Sequence, residues 1–319
     1  MAATNAIRSV VAPRVKKVGT SLIGQAQYTS IQAAINAAAA DPVPPSATAP
    51  YTIEIYPGVY TEAITCSSYV HLKGMGPEGS VTIQQTDATI LTLPAGVNNI
   101  ENLVFVLVTP TQARTMFTDG GNANVCYLSN CQFSVTTPAA RAITVISISG
   151  ATTLTLNNIY SEIAGTGVSY GIKVTNAAAV VSSTGAGVQF GFTNVNAFVF
   201  NVSAAANLAF MNSVFDGTCS FITCSAGTFV WHSCRVKSSG LLSVNTGANH
   251  SFQSSYIAIP VVAGNLAIVR LRNCSYPYIT RTGTGNVTDT TMRVFMGIYH
   301  TVNLNYSGTT ATANMECPA

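Results

Sequence analysis

The hydrophobic pattern changes period within the first sixty residues. Between Tyr28 and Ala38, Ile31, Ile35 and Ala38 fall on one helical face, and Thr29 and Gln32 stand at the T-x-x-Q capping spacing, which predicts a helix over 30–39. From Tyr51 the period is two. Ile53 and Ile55 alternate with Thr52 and Glu54, Pro57-Gly58 turns the chain, and Val70 and Leu72 alternate with His71 and Lys73 before Gly76-Pro77 turns it again. A short helix is followed by short strands.

A long-range repeat is laid over that alternation. Asn102, Asn130 and Asn158 are 28 residues apart each time, and Ser213, Cys234, Ser255 and Cys274 follow at intervals of 21, 21 and 19. Periods of roughly 20 to 30 residues made of short strands and Gly/Asn/Ser turns describe a solenoid in which each coil buries the face its neighbour exposes. At about 4.8 Å per coil, roughly nine to eleven coils give a rod about 45–50 Å long, with asparagines stacked at a corner. Cys131, Cys234 and Cys274 take equivalent places in the repeat, which predicts buried thiols acting as small hydrophobes. The stretch 139–212, with its Ala runs and the glycines at 165, 167, 185 and 187, reads as narrow coils or loops rather than a second domain.

The segments Ile31-Gln32-Ala33-Ala34-Ile35-Asn36-Ala37-Ala38, Ile53-Glu54-Ile55-Tyr56, Pro57-Gly58-Val59-Tyr60-Thr61-Glu62 and His71-Leu72-Lys73-Gly74-Met75-Gly76-Pro77 resemble, in this order, the N-terminal cap and first coils of the pectin methylesterase and pectate lyase superfamily. The resemblance implies an all-β fold, a single-stranded right-handed parallel β-helix with an N-terminal capping helix, over 28–280. A β-sandwich with a stray helix is the alternative, and it accounts less well for the repeats. Residues 1–27 are expected to form an extended basic arm, and 281–319 a C-terminal cap or oligomerisation segment.

Composition then narrows the function. Only 8% of the 319 residues are charged, against about a quarter in an ordinary soluble domain, so much of the surface is expected to be covered by other subunits; a homotrimer is the expected assembly. Arg8, Arg14, Lys16 and Lys17 give residues 1–27 a charge of +4, leaving −1 for the rest of a chain whose net charge is +3. These four are the expected partner-anchoring residues, on an arm that orders on another surface. They are too spread for a nucleic-acid footprint, and no apolar run is long enough to span a membrane. The eight cysteines include no C-x-x-C pair, and no histidine stands at ligand spacing from one, so no metal or cofactor is expected.

The family's chemistry rests on two aspartates, assisted by glutamines and an arginine. Gln112-Ala113-Arg114-Thr115-Met116-Phe117 resembles its first glutamine motif, but the first aspartate position holds Pro138 and the nucleophile position, after Phe215-Asp216-Gly217-Thr218-Cys219, holds Ser220. Beyond Glu101 the only acidic residues are Asp119, Glu162, Asp216, Asp289 and Glu316, of which Asp216 and Glu162 are the pair that coils could bring together. Lone His232 and His250 read as surface or corner residues. No catalytic residues are therefore expected. The leading expectation is a non-enzymatic virion structural protein, a capsid decoration or cement protein at the particle surface that contacts other capsid proteins, since phage and viral β-helix proteins share a similar start motif. A carbohydrate-binding tailspike, tail-fibre or adhesin module contacting a glycan, marked by a row of exposed aromatics, and a polysaccharide-active pectinesterase- or lyase-like enzyme remain as alternatives.

Overall fold

The computed structural model describes residues 14–21, 26–136, 141–164, 167–192, 198–217, 220–224, 227–238, 242–244, 248–257, 261–263, 268–272, 274, 278–281, 286–289, 292–295, 298–301, 304–306 and 315–316. Arg8, Pro138, Cys219 and Cys317 lie outside them. The strands pair in parallel from one coil to the next, Val125↔Thr153↔Val180↔Asn207↔Thr228↔Asn249 along one line, and they close into a 19-stranded and an 11-stranded sheet. The chain is a right-handed parallel β-helix.

Alternation drives the winding. In Tyr51–Ile55 the burial follows the sequence residue by residue, with Tyr51, Ile53 and Ile55 inside and Thr52 and Glu54 outside. A one-residue slip would turn every isoleucine outward, so register is strongly fixed. Further along, the interior is aromatic. Phe210, Trp231 and Phe252 stack at centroid distances of 5.3 and 5.7 Å on successive coils, each contact adding to the burial of its ring. The described part of 139–212 continues the same β-helix, with Thr153–Ala164 and Val180–Phe192 each bending at positive-φ residues, Asn158 in the first and Gly185 and Gly187 in the second.

The corner of each coil needs a left-handed residue. Asn102, Asn130, Asn158, Asn212, Ser233 and Ser254 have φ between 49° and 57°, a region that asparagine tolerates better than most residues. Directly after them the chain turns inward, burying Cys131, Ile159, Ser213, Cys234 and Ser255. The sequence markers thus name the left-handed residue in the first three coils and its inward successor in the later ones. The thiols of Cys131 and Cys234 sit in the core, and burial pushes them up to about 12 and about 11.

The helix spans Ile31–Ala39, and its N-cap is Ser30, whose hydroxyl accepts from the Ala33 N–H at 3.1 Å. Thr29 is not the cap. What completes the cap comes from elsewhere: the Glu62 carboxylate accepts from the N–H groups of Ile31 and Gln32 at 2.8 and 3.0 Å and from the Ser30 hydroxyl at 2.8 Å, placing negative charge at the positive end of the helix. Gln32 pairs through its side-chain amide with both the N–H and the C=O of Thr65, as a further strand would.

The N-terminal end departs from the expected boundary. Val15–Val18 is a strand paired in parallel with Thr52–Ile55, so the β-helix begins well inside the stretch expected to be an arm ending at residue 27. At the far end direction reverses: Leu304–Tyr306 runs antiparallel on Asn286–Asp289, and Met315–Glu316 antiparallel on Tyr278–Arg281. The open edge of the last parallel coil is thereby partly covered.

Candidate functional site

The outer surface is organised in columns, because each outward residue stacks on its counterpart one coil away. One column reads Lys17, Glu54, Lys73, Glu101 on consecutive strands, an alternation of charge that favours each neighbouring pair. Lys73 and Glu101 approach to 3.8 Å, both about half exposed. Lys17 therefore heads a charge ladder on the body.

Arg14 and Lys16 are held in the same coil. The Arg14 guanidinium lies 3.9 Å from the centroid of the Tyr51 ring, donates to the Asp41 carboxylate at 3.0 Å, and donates to the Ala49 and Val43 carbonyls. Hydrogen bonds from Tyr51 and Val43, together with Arg14, hold the Asp41 carboxyl below its usual range. Lys16 sits 5.6 Å from the centroid of the same ring. Arg14, Lys16 and Lys17 thus lie on the first coil of the body and not on a detached arm, with the Tyr51 face drawing two of the cations in. Arg8 lies outside the described residues.

The residues that resemble catalytic motifs are dispersed. Gln112 is exposed in a loop, and Arg114 pairs with Asp87 at 3.7 Å while Asp87 accepts from Thr111. Ser220 begins a strand of the 11-stranded sheet, away from Asp216 in the other sheet. Glu162 and Asp216 do share a column, but Gly191 stands between them. Two strand spacings separate their backbones by about 9.6 Å. Tyr160 donates to Glu162 at 3.3 Å, and Lys237 follows Asp216 on the next coil.

Asp119 is the carboxylate that sequence reasoning undervalued. It is fully buried and accepts from the N–H groups of Gly121, Ser149 and Gly150 and from the hydroxyls of Ser149 and Thr152, at 2.8–3.1 Å. Burial pushes its carboxyl up, but the hydrogen bonds from Ser149, Gly150, Thr152 and Gly121 outweigh it and hold it below the ordinary range. It fastens one coil's turn to the next and presents no oxygen to a substrate. The sequence signal was its setting, Asp119-Gly120-Gly121, a turn in which a carboxylate can bond nearby backbone N–H groups.

Among the described residues no group of three or more His, Cys, Asp or Glu could hold a metal ion. The exposed aromatics described are Tyr127 and Tyr256, which stand in different columns rather than in a row. His250, expected at the surface or a corner, is fully buried instead, because the alternation of Ala248–Gln253 turns Ala248, His250 and Phe252 inward together.

No family model and no curated protein matches the chain. Solved structures similar to it include pectin methylesterase PemA from Erwinia chrysanthemi, at 13% identity over 70% of this chain and 80% of that one with a TM-score of 0.42. A pectin methylesterase from carrot aligns at 12% identity over 82% and 75%, TM-score 0.36, and the A-module of the Azotobacter vinelandii mannuronan C-5 epimerase AlgE6 at 14% over 79% and 75%, TM-score 0.39. The architecture itself rests on the strand pairing described above.

Proposed function

We propose that the chain is a non-catalytic structural β-helix of a virion surface, a capsid decoration or cement protein covered by neighbouring subunits. The observation that carries the proposal is the placement of the acidic residues. Acid/base chemistry on sugars needs two carboxylates facing one bond; here Asp119 is enclosed by the backbone of the next coil, and Glu162 and Asp216 stand two coils apart, Glu162 accepting from Tyr160 and Asp216 lying beside Lys237 of the next coil. The absence of an aromatic row among the described residues weighs against a glycan track. Attachment through the N terminus falls to residues before Arg14, since Arg14, Lys16 and Lys17 serve the first coil.

Mass spectrometry of purified native particles, with surface labelling to locate the chain, tests the proposal. It is expected at the capsid surface in stoichiometric amount. Turnover of methylesterified or uronate polymers that is lost in Asp216→Asn would overturn the non-catalytic reading.

A further inference from the structure

The column that opens with alternating charge becomes neutral after Glu101. It continues through Ser129, Asn157 and Thr184; the pairing of Ser182 with Ala209 sets Met211 level with Thr184 on the next coil, and from there the column runs through His232 and Gln253 to meet charge again at Arg272. The adjacent column passes Tyr127, Thr155, Ser182, Ala209, Val230 and Ser251 before Arg270. For six coils this face carries no Lys, Arg, Asp or Glu, while Tyr127, Val180, Met211 and Val230 stand exposed on it. Its ends are opposite in kind. Acid lies at Glu101, paired with Lys73, and base at exposed Arg270 and Arg272.

We propose that this face docks a second copy of the chain with the rods antiparallel, about a two-fold axis perpendicular to them. That operation lays each column on itself reversed. Glu101 of each copy then meets Arg272 of the other, extending the alternation of Lys73 and Glu101 across the contact. The axis passes between the coils of Thr184 and Met211, and large residues meet small ones: Tyr127 faces Ser251, and Val230 faces Thr155. Seven strand spacings make the face about 34 Å long, and three columns about 20 Å wide. About 700 Å² per copy is close to the ~800 Å² per partner of a stable interface. A threefold axis parallel to the rods, the arrangement expected from composition, sets equal heights side by side and brings no acid to Arg272.

The inference rests on the reading of the chain as a covered structural protein. Sedimentation velocity on the full chain at micromolar concentration is expected to show a dimer. Arg272→Glu and Glu101→Arg should each weaken it at least tenfold, and the double exchange should restore it, because both ends then match again; thermal melts confirm that each variant is folded. A wild-type monomer, a trimer indifferent to the exchanges, or a double variant no better than the single ones overturns the docking face. A monomer that is nonetheless found in particles removes the face and keeps the structural reading, whereas polymer turnover removes that reading without altering the sedimentation result.

Discussion

The indole N–H of Trp231 points at Nδ1 of His250 across 3.4 Å, while the His250 ring stacks on Phe229 with a centroid distance of 4.3 Å. An acceptor Nδ1 makes the imidazole neutral with its proton on Nε2. Burial pushes its pKa down to about 3, from 6.5. Because the folded state refuses a proton that the unfolded chain accepts, the neutral ring's contribution is complete above pH 6.5 and drains away as pH falls toward 3, by about 1.4 kcal/mol per pH unit. His250→Phe keeps a flat ring in the stack and removes this titration. Its melting temperature should therefore fall less steeply between pH 6 and pH 4 than that of the wild type; parallel slopes would contradict the assignment.

Asp119 acts in a lower pH window. Its folded pKa is depressed, so its stabilisation is present above about pH 4, the unfolded value, and is lost as pH falls through the folded one. Asp119→Asn turns an amide toward backbone donors and should cost about 3 kcal/mol in chemical denaturation. A change below 1 kcal/mol would show that the turn closes without it.

Truncation separates body from terminus. A chain starting at Arg14 keeps the strand Val15–Val18 on Thr52–Ile55, whereas one starting at Tyr28 uncovers that edge and removes the Arg14 contacts with Asp41 and Tyr51. Bare parallel edges pair with other chains. The shorter chain should melt several degrees lower and scatter light on concentration, relative to the longer one. Identical melts would return residues 14–27 to the arm.

At the corner, Asn158 combines a φ of 52° with a hydrogen bond from its Nδ2 to Asn130 Oδ1 at 2.9 Å. Asn158→Ala meets the left-handed penalty of roughly 1–2 kcal/mol and loses the bond. Asn158→Gly should recover most of that loss, since glycine adopts the conformation freely. Equal losses in the two variants would place the cost in the side-chain ladder instead.

How far each feature could be read from the chain follows from its range. The coil repeat and the inward thiols were legible because corner chemistry and period-two burial are local rules that recur at Asn130 and Cys131 and again at Ser233 and Cys234. The N-cap was misplaced by one residue because Thr29 and Ser30 are both capping types, and the residue that decides it, Glu62, arrives from 32 positions beyond Ser30. Val15-Lys16-Lys17-Val18 carries too little alternation to announce a strand; its pairing is set by the exposed edge of Thr52–Ile55. Whether Glu162 and Asp216 meet depends on how many coils separate them, and the two strand spacings, with Gly191 on the strand between, are visible only once the register is known.

The reversal of strand direction at the C-terminal end bears on how such a rod can change length in evolution. Antiparallel Leu304–Tyr306 and Met315–Glu316 lie on the last parallel strands, so a further parallel coil at that end meets strands running the wrong way. Inserting or excising a complete interior coil, such as the 28 residues from Asn130 to Asn158, avoids that reversal. Such an event leaves each left-handed corner stacked on another, whereas an indel of a few residues breaks the column at every position it displaces. Length in this architecture is inherited in steps of one coil, about 4.8 Å at a time.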